Sequence, residues 1–248
     1  MSYHDNQSGG EARQHFPSLW TSNEELDHAA TSCLSRVFLR MFLALLVTAA
    51  AALAVVSSET LLALIFGGSY TVIGLVVVEI VLVLAISAGI NRMSSTAANA
   101  LFFLYAIVNG LTLSVIFLVY DIGAIYRAFT VSALMFAGMA LYGTITRRDL
   151  TSIGSICIMG LFGIIIASIA NFFFRSGTLD AIICYVGVLI FIGLTAYDTQ
   201  RIKRMLREAH ASSHEEAIRK ISVIGALTLY LDFINLFLKI LRIMGRRR

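Results

Sequence analysis

Charge is scarce along this chain and proline is nearly missing: 14% of the 248 residues are Asp, Glu, Lys or Arg, and Pro17 is the single proline. Soluble domains carry about 25% charged residues, so the shortage excludes an ordinary water-soluble globule and makes the bilayer the solvent. Lipid offers the backbone no hydrogen bonds, so a spanning segment must be a helix or part of a closed barrel, and apolar runs of about 20 residues select the helix. Histidine is badly placed for chemistry. His4, His15, His28, His210 and His214 all fall in a polar tail or in one basic connection, so histidine-dependent hydrolysis inside the membrane has no base. Cys33, Cys157 and Cys184 lie far apart without metal-ligand spacing, and zinc has no set of ligands. The chain reads as a non-enzyme with no tightly bound cofactor.

What is present is hydrophobic: 58% of the residues. Apolar runs bounded by charged or turn residues cover about 38–56, 70–90, 97–120, 122–145, 152–174, 179–197 and 221–241, which predicts seven membrane helices. Glycines within them, such as Gly110, Gly138, Gly160, Gly163, Gly187 and Gly193, together with many alanines and serines, suit close helix packing. Residues 1–32 read as a polar, flexible cytosolic tail, without the basic start and apolar core of a cleavable signal peptide. Residues 33–248 read as the transmembrane domain.

Basic residues orient the helices. Arg36 and Arg40 precede the first span, Arg92 follows the second, Arg147 and Arg148 follow the fourth, and Arg201, Lys203, Arg204, Arg207, Arg219 and Lys220 surround the sixth-to-seventh connection. The positive-inside rule then puts the N-terminus and the even-numbered loops in the cytosol. The net charge of +4 suits anionic headgroups, and nothing calls for nucleic acid. One cluster disagrees: seven full crossings place Lys239, Arg242 and residues 246–248 on the far side. Either the last segment re-enters without crossing, or the earlier loops overrule it.

An ionisable group inside a span costs about 2.5–3.5 kcal/mol on insertion scales, so each needs a reason. Glu79 sits mid-span between Val76-Val77-Val78 and Ile80-Val81-Leu82, Asp232 is in the middle of the seventh span, and Asp198 closes the sixth. Helical spacing puts Thr228, Asp232, Asn235 and Lys239 on one face, which should turn into the bundle. The plain alternative for each acid is a hydrogen-bonded packing contact, or for Asp198 an ion pair with Arg201 or Lys203. If Asp198 and Asp232 meet in a low-dielectric bundle they cannot both ionise cheaply and share a proton. Loss of that proton would push the two helices apart or free a basic partner, a route to a pH-operated gate. Carboxylates are also hard oxygen ligands, so the pair is a candidate Ca²⁺ contact. Tyr197-Asp198 is superficially similar to the first motif of intramembrane aspartyl proteases, but Asp232 follows Leu231 and the second motif is missing.

Three segments carry a family resemblance: Gly110-Leu111-Thr112-Leu113-Ser114, Ala196-Tyr197-Asp198-Thr199-Gln200, and the run from Gly225-Ala226-Leu227-Thr228 through Asp232-Phe233-Ile234-Asn235 to Phe237. Together they resemble the Bax inhibitor-1 family of transmembrane proteins, particularly its bacterial branch. The resemblance implies a seven-helix bundle with the last helix central, in a bacterial inner membrane, that leaks calcium under the control of pH. It makes Asp198 and Asp232 the pH sensor and Glu79 part of the cation path. Members carry an arginine at the cytosolic end of the second span that latches the aspartates; here Gly89 stands in that region. Arg92, one turn on, is the candidate replacement, and Asn235 is a second candidate partner of the pair. The family also implies another class of function, in which the chain binds and restrains a membrane-bound protease or other membrane proteins through its polar tail. Deleting the tail should abolish that function and spare a leak, and Asp198→Asn should do the reverse.

Overall fold

The computed structural model describes residues 19–68, 70–212 and 214–245, with side chains from residue 24 onward. Among them are nine helices: α1 (Leu19–Val56), α2 (Glu59–Phe66), α3 (Thr71–Gly89), α4 (Ser95–Leu113), α5 (Val115–Val119), α6 (Ile122–Ile145), α7 (Thr151–Phe174), α8 (Gly177–Ala211) and α9 (Glu215–Met244). The described residues form no strand. Seven spans are long and apolar enough to cross a membrane, with α4 and α5 together making one. The fold is therefore an all-α membrane bundle, with the seven spans where the apolar runs predict them.

Hydroxyl side chains set several of the ends. Ser58, Ser94 and Ser176 accept hydrogen bonds from the backbone N–H groups of Leu61, Ala97 and Leu179, satisfying donors that have no partner within the helix. Ser114 donates to the carbonyl of Leu111 at 2.6 Å where α4 gives way to α5. Arg175 closes α7 in the left-handed region, at φ 51°.

α1 starts before residue 33. The helix begins at Leu19, so the second half of the segment expected to be a flexible tail is the first part of α1. No proline or glycine interrupts residues 19–56, and α8 pins this extension from the side. Asp27 pairs with Arg207 at 3.3 Å, and Cys33 Sγ meets His210 Nε2 at 3.6 Å. Residues 1–18 lie outside the described residues.

The topology of the last two helices answers the question left by the C-terminal cations. α9 runs antiparallel along the whole of α8: Gly225 faces Ile202, Gly187 faces the methylenes of Lys239, and Arg242 pairs with Asp180 at 2.9 Å. The start of α1 meets the end of α8, and the end of α9 meets its start, so the two termini of the bundle lie on opposite faces. The last helix runs the full length of the bundle. The face holding Arg92, Arg147, Arg148 and the α8–α9 connection is called the basic face below, and the one holding Asp180 and Arg242 the far face. Residues 246–248 lie outside the described residues.

α9 packs against α8, α1, α6 and α4 and is the most heavily buried of the seven spans. α3 is the least buried and packs chiefly on α4. Lipid offers no hydrophobic drive between helices, so contact rests on close approach of backbones. A Cβ on Gly110 would come within 2.4 Å of the Thr48 carbonyl oxygen, and one on Gly143 within 2.2 Å of that of Ala196.

Candidate functional site

Asp198 and Asp232 meet. Their side chains, on α8 and α9, lie close enough to interact, and both residues are buried, at 8% and 5% exposure. A hydrogen bond between two carboxyl groups requires that one of them carry the proton. The second oxygen of Asp232, Oδ2, is buried with no hydrogen-bond partner among the described residues, an arrangement that costs free energy wherever it occurs.

The neighbouring threonines turn away from the pair. Thr195 and Thr199 flank Asp198 on α8, but each turns its hydroxyl back onto its own helix, donating to the carbonyls of Phe191 and Thr195 at 2.7 Å. Gly143 lets α6 touch α8 at Ala196, and Gly154 lets α7 lie under the ring of Tyr197. Phe233, next to Asp232, is held edge-on between Phe129 and Phe136 of α6, each with ring centroids 5.6 Å away. Besides Asp232, Arg201 lies one turn on along α8 and acts on Asp198, and Cys157 of α7 lies within reach of the Asp198 charge.

Glu79 does not join the pair. It lies half-buried on α3, where its Oε2 accepts from Asn109 Nδ2 of α4 at 3.2 Å. Asn109 Oδ1 accepts from the Tyr230 hydroxyl of α9 at 3.0 Å, and that hydroxyl lies 2.7 Å from Thr48 Oγ1 of α1. Four helices thus meet in one polar chain that starts from an acid in the second span, passes through the last helix at Tyr230 and ends on the first at Thr48. Glu79 Oε1 is buried and without a partner among the described residues. Sequence reasoning missed Asn109, Tyr230 and Thr48; the available signal was an amide, Asn109, in the middle of an apolar span.

The other two candidates lie elsewhere. Arg92 is exposed on the basic face, beside Asn91, whose carbonyl accepts from Lys220 at 3.5 Å, and touches neither aspartate among the described contacts. Asn235 spends its amide on the Leu231 carbonyl at 2.8 Å and lines a far-face cleft with Tyr120, Lys239 and Arg242. Of the face predicted from helical spacing, Asp232 is buried and Thr228, Asn235 and Lys239 are half-buried. No group of three or more His, Cys, Asp or Glu gathers among the described residues.

Tyr230 is fully buried, and its ring stands edge-on to Phe102 and Tyr105 at 5.8 and 5.7 Å. Tyr230→Phe keeps that packing and removes the hydroxyl, leaving the buried Asn109 carbonyl without its donor. An unsatisfied buried group costs about 1–3 kcal/mol, so the variant is expected to melt at a lower temperature than the parent in the same detergent. An unchanged midpoint would mean that the chain of hydrogen bonds contributes nothing to packing.

A buried carboxyl pair within a bundle of seven apolar helices defines an integral membrane protein with ionisable groups held between its spans. Comparison with known proteins supplies the family: the model described as "Inhibitor of apoptosis-promoting Bax1" matches residues 30–248, and the chain belongs to the Bax inhibitor-1 family. It is 46% identical over 215 residues to an uncharacterised protein of Borreliella burgdorferi, covering 87% of this chain and 92% of that one. It is 44% identical over 215 residues to the inner membrane protein YbhL of Escherichia coli K12, with the same coverage of both chains. An uncharacterised protein of Rickettsia prowazekii is 39% identical over 228 residues, covering 92% of this chain and 95% of its own.

Proposed function

We propose that this protein is a pH-sensitive cation leak, with calcium as the permeant ion, in which the carboxyl pair of Asp198 and Asp232 is the gate. The contact between two buried carboxyls carries the reading. While one proton is shared, the pair is a hydrogen bond that ties α8 to α9. When it is lost, two negative charges face each other in a medium of low dielectric, where repulsion is far stronger than in water. The helices separate, and the same charges attract a cation. Flux therefore rises with pH.

Two carboxylates offer at most four oxygens, fewer than the six to eight that Ca²⁺ takes. An ion at the pair keeps part of its water and moves on, as passage requires. Glu79 supplies a second acidic station through the Asn109–Tyr230 chain. α9, in contact with four other spans, is the hub whose displacement opens the path. The membrane is the bacterial inner membrane, as named for YbhL, and the basic face is cytosolic because cationic loops stay inside.

Asp149 is a poor rival sensor. Its exposed carboxylate accepts from the Thr151 hydroxyl and N–H and pairs with Arg204, and these contacts hold it below the usual carboxylate range. Such a group stabilises the fold fully above the ordinary carboxylate range, and the contribution is lost only as pH falls through the lowered value. It stays ionised throughout a neutral titration.

The test is Ca²⁺ flux into liposomes carrying the purified protein, from pH 6 to 8. Flux above that of empty liposomes, rising with pH, is expected. No flux from folded protein would sink the leak and shift the reading to a membrane-embedded regulator that restrains a membrane protease or other membrane proteins.

A further inference from the structure

On the basic face, a cleft of about 740 Å³ opens between the start of α1, the connection from α6 to α7, and the last turns of α8. We propose that it binds a phosphate-bearing anion. This reading stands apart from the leak and uses none of its residues.

The cleft is built rather than incidental. Gln200 of α8 fastens the α6–α7 connection at several points: its Oε1 accepts from the Leu150 N–H at 3.0 Å, and its Nε2 donates to the carbonyl of Arg148 at 2.8 Å. Lys203 donates to the Thr144 carbonyl at 3.2 Å. The connection is thereby held as a fixed wall facing α8, with the side chains of residues 147 and 148 at its rim.

Charge inside the cleft is unbalanced. Five cations line it, Arg147, Arg148, Lys203, Arg204 and Arg207, against two carboxylates, Asp27 and Asp149. Both carboxylates are already engaged, Asp149 by Arg204 and Asp27 by Arg207, each at 3.3 Å. Arg147 and Arg148 have no side-chain partner among the described residues, and Lys203 is bonded only to a neutral carbonyl. Three cations therefore converge without a counter-charge. Guanidinium forks match phosphate oxygens bidentately, and the volume accommodates a phosphorylated headgroup. Because the cleft opens at the end of the membrane spans, the phosphate can come from an anionic phospholipid or from a free phosphate in solution.

Full-length protein in nanodiscs of phosphatidylcholine would be titrated with phosphatidylglycerol at constant salt, and separately with inorganic phosphate and pyrophosphate, following bound lipid by native mass spectrometry and melting temperature. The parent is expected to retain phosphatidylglycerol. The double variant Arg147→Gln, Arg148→Gln should retain it roughly tenfold less, because bidentate contacts are lost. Both residues are exposed and unpartnered, so the variant should melt with the parent in phosphatidylcholine alone. Arg219→Gln, an exposed cation on α9 outside the cleft, should bind as the parent does. Stabilisation by phosphate or pyrophosphate without anionic lipid would assign the site to a free anion, and retention of phosphatidylglycerol alone would assign it to the lipid. Equal losses in the cleft variant and in Arg219→Gln would overturn the proposal in favour of diffuse surface charge, as would binding of neither probe.

Discussion

Asp232→Asn is expected to hold calcium flux low and flat from pH 6 to 8, where the parent's flux climbs. The amide has nearly the shape of the carboxyl, and its N–H₂ donates to Asp198 at every pH. It imitates the state in which the proton is shared and cannot leave it. Asp198→Asn should do the same from the other side. Asp232→Ala separates two explanations that these variants alone would not: with neither charge nor donor in place, nothing ties α8 to α9, and flux should be flat but high. The slope is also informative. One shared proton can change the open population by at most about tenfold per pH unit, so a steeper parent profile would require a second titrating group, for which Glu79 is the first choice. An Asp232→Asn profile parallel to the parent's would remove the pair from the gate altogether.

On this reading the described conformation is closed to cations, and the far half of α9 explains why. Beyond the pair, a small cavity of about 110 Å³ is lined by Phe117, Phe129, Phe233 and Phe237 with aliphatic side chains and Thr48. A dry apolar constriction resists a hydrated ion. Past it, Lys239 and Arg242 stand in the far-face cleft with Asn235 and Tyr120, and their positive charge repels a departing cation. Arg242 is matched by Asp180, whereas Lys239 has no ion pair among the described residues. Opening at the carboxyls alone does not clear this half, so α9 must move as a unit.

The spans were legible because membrane solvation acts on short stretches of chain: a run of apolar residues such as 152–174 is a helix whatever it packs against. The carboxyl pair was legible for a related reason, since Asp198 and Asp232 inside such runs must repay their insertion through a partner, and the α8–α9 hairpin brings them to the same depth. Contacts between distant spans leave no such mark. Nothing near Tyr230 announces that its hydroxyl meets Asn109, 121 residues earlier, or that Glu79 faces that amide rather than the aspartates. The far end of the last helix was ambiguous because a cation in the sequence stands without its partner. Arg242 on the far face is tolerable once Asp180 lies beside it, and that pairing belongs to the folded bundle. The early start of α1 has the same origin: the sequence around Asp27 reads as polar tail until Arg207 is placed against it.

Gly143→Ala should destabilise the protein more than any other alanine replacement of a glycine in α6 or α7. Its Cβ would lie 2.2 Å from the carbonyl oxygen of Ala196, with that residue's Cα and carbonyl carbon at 3.0 Å. These are backbone atoms of α8, and no rotamer change relieves them. The two helices must part, at a cost of about 1–3 kcal/mol for overpacking. Gly138 on α6 and Gly163 on α7 are the controls, because a Cβ at either meets nothing within 4 Å. Alanine there should be neutral or stabilising by up to about 1 kcal/mol, the helix-propensity gain over glycine. Melting temperatures in one detergent would separate the three. The functional consequence follows from position: Ala196 lies two residues before Asp198, so pushing α8 away from α6 shifts that carboxyl relative to Asp232. Gly143→Ala should therefore also weaken the pH dependence of flux, while Gly138→Ala and Gly163→Ala preserve it. A Gly143→Ala protein that melts with the parent would mean that α6 and α8 are not in backbone contact, and that the pair is held by α9 alone.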